Sequence, residues 1–230
     1  DEMARLPHFR PPAILLPHGT VGNSASGIAP DVSKGKFGPF REQLFVADQT
    51  HSVINRCFLE KVNGYYQGAC FPFVKGFGSG NVPVVQASDG SLFSGGTDRG
   101  WGARGGKRYA LDRVVWTGKT PFEILEMRIR KDGFELEFTK PVDKKTAETL
   151  ESYEMKTHTY IFQGKYGSPR VDASTPSIKT AKLAKDGKTV RLVIEGMQRG
   201  HVHELKSAGV RSKEENHPLL HDMAYYTVWN

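Results

Sequence analysis

Two stretches, QLFVADQTHSVINRCFLE at 43–60 and SLFSGGTDRGWGARGGKRYALDRVVW at 91–116, read as two copies of one pattern. Each runs from a Leu-Phe pair through a turn containing Asp to an aliphatic segment that holds an Arg. Leu44 and Phe45 align with Leu92 and Phe93 at a spacing of 48, and Arg56 aligns with Arg113 once about nine residues are inserted. Paired short strands with a turn between them, repeated at this size, are the signature of propeller blades. Between the copies, KVNGYYQGACFPFVKGFGSGNVPVVQASDG at 61–90 supplies further strand-like pieces and ends in a Ser88-Asp89-Gly90 turn. A closed ring needs at least about four blades. The stretch 1–119 holds roughly two by that pattern.

The inserted residues lie in GGTDRGWGARGGKR at 95–108, with six glycines and four cationic side chains around one Trp. It matches neither the G-x-x-x-x-G-K-[ST] phosphate loop nor G-x-G-x-x-G. Glycine permits the sharp reversals that an extended hairpin tip requires. Two readings stand for it. In the first, Arg99, Arg104, Lys107 and Arg108 grip the carboxylates of a quinone cofactor or an acidic sugar, with Asp98 at the turn and the Trp101 indole stacked on a ring. In the second, this is a loop between blades, its arginines paired with neighbouring acids and its Trp packed beneath the ring edge. Nucleic acid ranks behind both, because phosphate binding wants a broader basic stripe.

A second regime begins near Thr120-Pro121, where glycine thins and alternation sharpens. In FELEFT, Phe134, Leu136 and Phe138 face one way, and in TVRLVI, Val190, Leu192 and Ile194 do the same. Each run follows a turn, Lys131-Asp132-Gly133 or Lys185-Asp186-Gly187. PVDKKTAETLESYEM, with Asp143 as a cap, predicts one or two helical turns before the strand-like THTYIFQ. Strands at this spacing predict an immunoglobulin-like sandwich. The expected fold is therefore all-β: a propeller-blade region over 1–119 and a sandwich over 120–230.

Composition agrees with that class. The 230 residues are 38% hydrophobic and 10% aromatic with 25 glycines, a balance that favours short strands and tight turns. The net charge of +7 invites an anionic partner, but acids dilute every basic cluster, as in RIRKDGFELEFTKPVDKK, so a solvated surface is the plainer explanation. Apolar runs such as AILL at 13–16 are far too short to span a membrane as a helix. Cys57 and Cys70 lie thirteen positions apart across a predicted hairpin, either as a disulfide worth about 3 kcal/mol or as two buried thiols. No CxxC or paired Cys/His spacing suggests haem or structural zinc. The chain starts at Asp1 without a signal peptide, and we read it as a piece of something longer.

PHGTVGNSASGIAPDVSKGKFGPFREQLFVADQTHSVINRCFLE at 17–60 resembles late blades of glucose/sorbosone dehydrogenase-like propellers, and ASDGSLFSGGTDRGW with LDRVVW resembles the blade that follows. The tail, from DGFELEFTKPVDKKTAETLESY through DGKTVRLVIEGMQRGHVHEL to HPLLHDMAYYT, is similar to the bacterial immunoglobulin-like domain found after such propellers in large secreted proteins. The resemblance implies a secreted or periplasmic location. It also implies a parent that uses pyrroloquinoline quinone with calcium to oxidise sugars, with the remaining blades supplied by the parent chain or a partner chain. The early blades that carry the general-base histidine in that family have no counterpart in these residues, and the role is not transferred to His18 or His51. The expected function is thus a binding or structural module, with carbohydrate as its candidate ligand; the alternatives are a sugar oxidoreductase completed by missing blades or another chain, and an anion-binding module for acidic glycan or nucleic acid.

Other clusters have plainer explanations. Asp31, Asp48 and Asp98 sit at turn-like positions where carboxylates suit calcium, but also where they cap turns. His201 and His203 in GHVHEL share one face of a predicted strand, with His217 and His221 following, a set that could ligate copper or zinc or cap strand ends. No G-x-S-x-G marks a serine nucleophile, and Glu135 and Glu137 are the polar side of one strand.

Overall fold

A computed structural model describes residues 5–165 and 167–230. Among the described residues the fold is all-β, with fifteen strands, one short α-helix and three sheets, none of them closed. The first half contributes β1 (Ala25–Pro30), β2 (Leu44–Asp48), β3 (Val53–Val62), β4 (Tyr65–Lys75), β5 (Asn81–Gln86), β6 (Leu92–Thr97) and β7 (Tyr109–Val114). The second half contributes β8 (Ile124–Arg130), β9 (Gly133–Phe138), α1 (Lys144–Glu148), β10 (Glu154–Tyr160), β11 (Arg170–Ser174), β12 (Ser177–Leu183), β13 (Thr189–Glu195), β14 (His201–Lys206) and β15 (Met223–Val228).

The tail behaves as its alternation demands. Phe134, Leu136 and Phe138 on β9 and Val190, Leu192 and Ile194 on β13 are all buried. They belong to the four-stranded sheet β12-β13-β9-β8. That sheet faces Met155 of β10, Leu205 of β14 and Ala224, Tyr226 and Val228 of β15 across one core. The short helix begins where Asp143 Oδ1 accepts a hydrogen bond from Thr146 N at 2.9 Å, the expected cap.

The opposing layer does not stop at the tail. Its order is β1-β2-β3-β4-β15-β14-β10-β11, and β4 pairs antiparallel with β15 through Cys70–Tyr225, Ala69–Tyr226 and Gly68–Thr227. One eight-stranded sheet therefore runs across the expected boundary at residue 119. Phe58, Ala69 and Phe71, from β3 and β4, lie in the same core as the tail strands.

A second core lies at the other end of the long sheet. Ala29, Phe45, Ala47 and Ile54 pack there against Val84 and Leu92 of the three-stranded sheet β5-β6-β7. Arg56 bolts the two halves together. Its Nη1 donates to Gln43 Oε1 at 2.6 Å and Leu125 O at 2.8 Å, and its Nη2 donates to Ile124 O at 2.5 Å. The guanidinium carbon lies 4.6 Å from the Phe40 ring centre and 4.3 Å from that of Phe71, and only 1% of the residue is exposed. Burial lowers its pKa to about 10, still charged at neutral pH.

The back of the long sheet is covered by chain entering from the N-terminus. Ile14, Leu15, Leu16 and Val21 pack there on Val46, Cys57, Cys70, Val202 and Tyr225. Cys57 and Cys70 are directly opposed in the ladder, and both are free and buried. Burial pushes the Cys57 thiol up to about 12 and raises Cys70 as well.

Candidate functional site

The two sequence copies fold into hairpins with the same register. Phe45 pairs with Arg56 across β2–β3, and Phe93 pairs with Arg113 across β6–β7. The first hairpin turns tightly through residues 49–52, whereas the second opens into residues 98–108, so all six candidate residues share one loop.

That loop is held by its backbone. Gln49 Nε2 donates to Thr97 O at 3.0 Å and Trp101 O at 2.8 Å. Arg104 N donates to Thr50 O at 3.0 Å, Gly105 N to Ser52 Oγ at 2.8 Å, and Lys107 N to Gly78 O at 2.9 Å. At its base, Asp98 N donates to Arg108 O at 3.2 Å. The turn of the first hairpin thus serves as the seat of the second one's loop. Gly105 is required by the close approach: a Cβ there would stand 2.6 Å from backbone atoms of Phe77, Gly78 and Ser79.

With the backbone tied down, the side chains point to water. Trp101 is 63% exposed, and Arg99, Arg104, Lys107 and Arg108 are exposed. Among the described residues, none of these four cations pairs with a carboxylate; Arg108 lies 5.7 Å from the centre of the Tyr109 ring. The paired, packed arrangement weighed from sequence is therefore absent from this loop among the described residues. Asp98 is partly buried. Next to the loop, Tyr109 and Leu111 stand out from edge strand β7 at 58% and 76% exposure. Gln49, Tyr109 and Leu111 carry no motif that marks them in the sequence. Alternation in YALDRV marks the latter two as one face of a strand, but does not say that this face is bare.

The other candidate residues disperse. Asp48 Oδ2 accepts from Asn23 N and Ser24 N, each at 2.7 Å, and its Oδ1 accepts from His51 N at 2.7 Å. Asp31 Oδ1 accepts from Ser33 N and Gln86 Nε2. Both are turn caps, and with Asp98 they assemble no group of metal-ligating side chains among the described residues. Asp48, the carboxylate in the turn beneath the loop, is already engaged by three backbone N–H groups. His201 Nε2 lies 3.1 Å from Asp172 Oδ2, and His221 Nδ1 lies 2.7 Å from Glu123 Oε1. His203 is wholly buried with its ring against Phe134, and burial pulls its pKa down to about 4. On the back of the sheet, His158 is held down to about 4 by burial, with Arg170 adding to the effect, although Glu204 Oε1 is 3.4 Å from its Nδ1. Arg170 there donates to Glu204 Oε1, Thr20 Oγ1 and His18 O, fastening the N-terminal segment to β11 and β14.

Compared with protein families, curated proteins and solved structures, the chain shows no significant match to any family model, protein or structure. The functional reading rests on the loop itself.

Proposed function

We propose that the chain is a binding module whose β6–β7 loop takes an acidic carbohydrate. One observation carries this: a 63% exposed indole beside four exposed cations that have no carboxylate partner among the described residues, on a loop whose backbone is fixed. A uronic-acid chain supplies what these groups lack, carboxylates for the guanidinium forks and a pyranose face for the indole. Because the backbone is already ordered, binding loses little further entropy. Tyr109 and Leu111 prolong the surface as an apolar platform rather than a basic stripe, which favours a sugar ring over a phosphate backbone.

In this account β1–β4 and β5–β7 are two blades of a propeller related to the sugar dehydrogenases. The tail is an immunoglobulin-like sandwich, and the parent is secreted or periplasmic. The up-and-down strand order, the matched Phe–Arg registers and the two facing tail sheets support that reading.

Calorimetry with an oligogalacturonide at low and high salt tests the function. Saturable binding is expected, weakened at least about tenfold by Trp101→Ala or Arg104→Ala, since a hydrogen bond to a charged group is worth roughly 1.5–3 kcal/mol. A neutral oligosaccharide and a single-stranded oligonucleotide should bind more weakly. Equal affinity in both variants, or no binding, overturns the proposal.

A further inference from the structure

An open groove of about 600 Å³ lies at the far end of β3 from the cationic loop. Its walls are Tyr65 and Tyr66 beside the β3–β4 turn, Trp229, and the chain's own Phe9, Arg10 and Pro11. Tyr65 and Tyr66 are 52% and 60% exposed, an unusual outlay of aromatic surface at one turn.

The way the segment Phe9-Arg10-Pro11-Pro12 sits there is informative. Trp229 Nε1 donates to Pro12 O at 2.8 Å, Phe9 packs on Phe162 at 5.3 Å between ring centres, and Phe162 in turn lies 6.3 Å from Trp229. The Arg10 guanidinium is 5.5 Å from the centre of the Tyr65 ring. Pro11 and Pro12 have no N–H to offer, and the next backbone donor engaged by the sheet is Leu15 N, on Thr227 Oγ1. These residues are therefore held by one indole–carbonyl hydrogen bond and a few ring contacts, without a strand ladder. A proline carbonyl that accepts from an indole, little conformational freedom to lose and aromatic rings alongside are the chemistry of proline-rich recognition.

We infer that the aromatic surface of Tyr65, Phe162 and Trp229, which residues 9–12 cover in cis to form one wall of the groove, is a binding site for an Arg-Pro-Pro segment of a partner protein. The occupant follows from the chain's own segment, which rests on that surface through Trp229, Phe162 and Tyr65. A cis segment competes at the high effective concentration set by its tether, so a partner must displace it, and loosening the cis contacts must strengthen binding in trans.

The test is a titration of the full chain with a peptide of sequence LPHFRPPAIL, followed by the indole resonance of Trp229, which Trp229→Phe identifies. A saturable shift is expected. The Phe9→Ala, Arg10→Ala double variant should bind the peptide about tenfold more tightly than the parent chain, and a peptide with both prolines replaced by alanine should bind at least about tenfold more weakly. An unmoved indole in both chains overturns the inference. So does an equal response to the proline-free peptide, or a response to an acidic oligosaccharide in place of the peptide.

Discussion

Arg56 and Arg113 hold the same place in two copies of one pattern and meet opposite environments. Arg56 faces the core and satisfies the carbonyls of Ile124 and Leu125. Arg113 faces water, pairs with Asp89 and lies 5.3 Å from the Phe93 ring centre. Replacing Arg56 with Ala removes the guanidinium donor from Ile124 O, leaves Leu125 O to Gln43 Nε2 alone, and opens a void between Phe40 and Phe71. The expected loss is about 3–5 kcal/mol in urea unfolding. Arg113→Ala should cost less than about 1 kcal/mol, because exposed ion pairs contribute little. Similar losses for the two would contradict the assignment of Arg56 as the bolt between the halves. His203 makes a second prediction at this scale. Its folded pKa near 4 lies below the ordinary 6.5, so between those values the unfolded chain binds a proton that the folded chain refuses. Stability must therefore fall as pH drops through that window, by up to about 1.4 kcal/mol per pH unit for each such group. His158, also held to about 4, acts in the same direction. His203→Gln, which keeps an acceptor for Gln198 N, should remove about half of the acid slope of the urea midpoint; an unchanged slope would contradict it.

The faces of individual strands were legible because alternation fixes them: FELEF and TVRLVI bury the residues that their pattern names. The Asp143 cap and the Ser88-Asp89-Gly90 turn were equally local and equally readable. The paired hairpins were legible as a repeat. Their orientation was not, since Phe45 is fully buried in the first copy while Leu92, one place earlier in the pattern, takes that role in the second. A slip of one residue turns the whole face over, and only the packing partner decides which face is covered. The candidate loop was found from its glycines and charges, but its seat on Gln49, Thr50 and Ser52 was hidden, because those contacts cross about 50 residues of chain. The seat is itself testable. Gly105→Ala forces the loop away from Phe77–Ser79, and Gln49→Ala removes two of its ties. Each should weaken acidic-oligosaccharide binding by at least about threefold, since a single hydrogen bond contributes roughly 1 kcal/mol. Neither removes a side chain proposed to touch the ligand, so unaltered affinity would mean that loop geometry does not matter.

Across the whole molecule the decisive pairing is β4 with β15, which joins residue 70 to residue 225 in one sheet. Periodicity shows which face of a strand is apolar and is silent about its neighbour, so this long-range seam was invisible in sequence. Its consequence is that residues 120–230 alone would lose Phe58, Ala69 and Phe71 from the shared core and leave the β15 edge, Met223–Val228, bare. Open strands seek partners. That fragment should melt below the full chain and self-associate with rising concentration in size-exclusion chromatography; a monomer with the full chain's melting temperature would show that the seam contributes nothing. The same layout separates the two ends of β3, with the cationic loop at one and the aromatic groove at the other. The most direct measurement is therefore a residue-resolved map of amide shifts in the full chain as an oligogalacturonide is added. The account predicts saturable shifts confined to residues 97–111 and their seat at 49–52, with the Trp101 indole moving most. Shifts centred on Tyr65, Tyr66 and Trp229, or none at all, would contradict it.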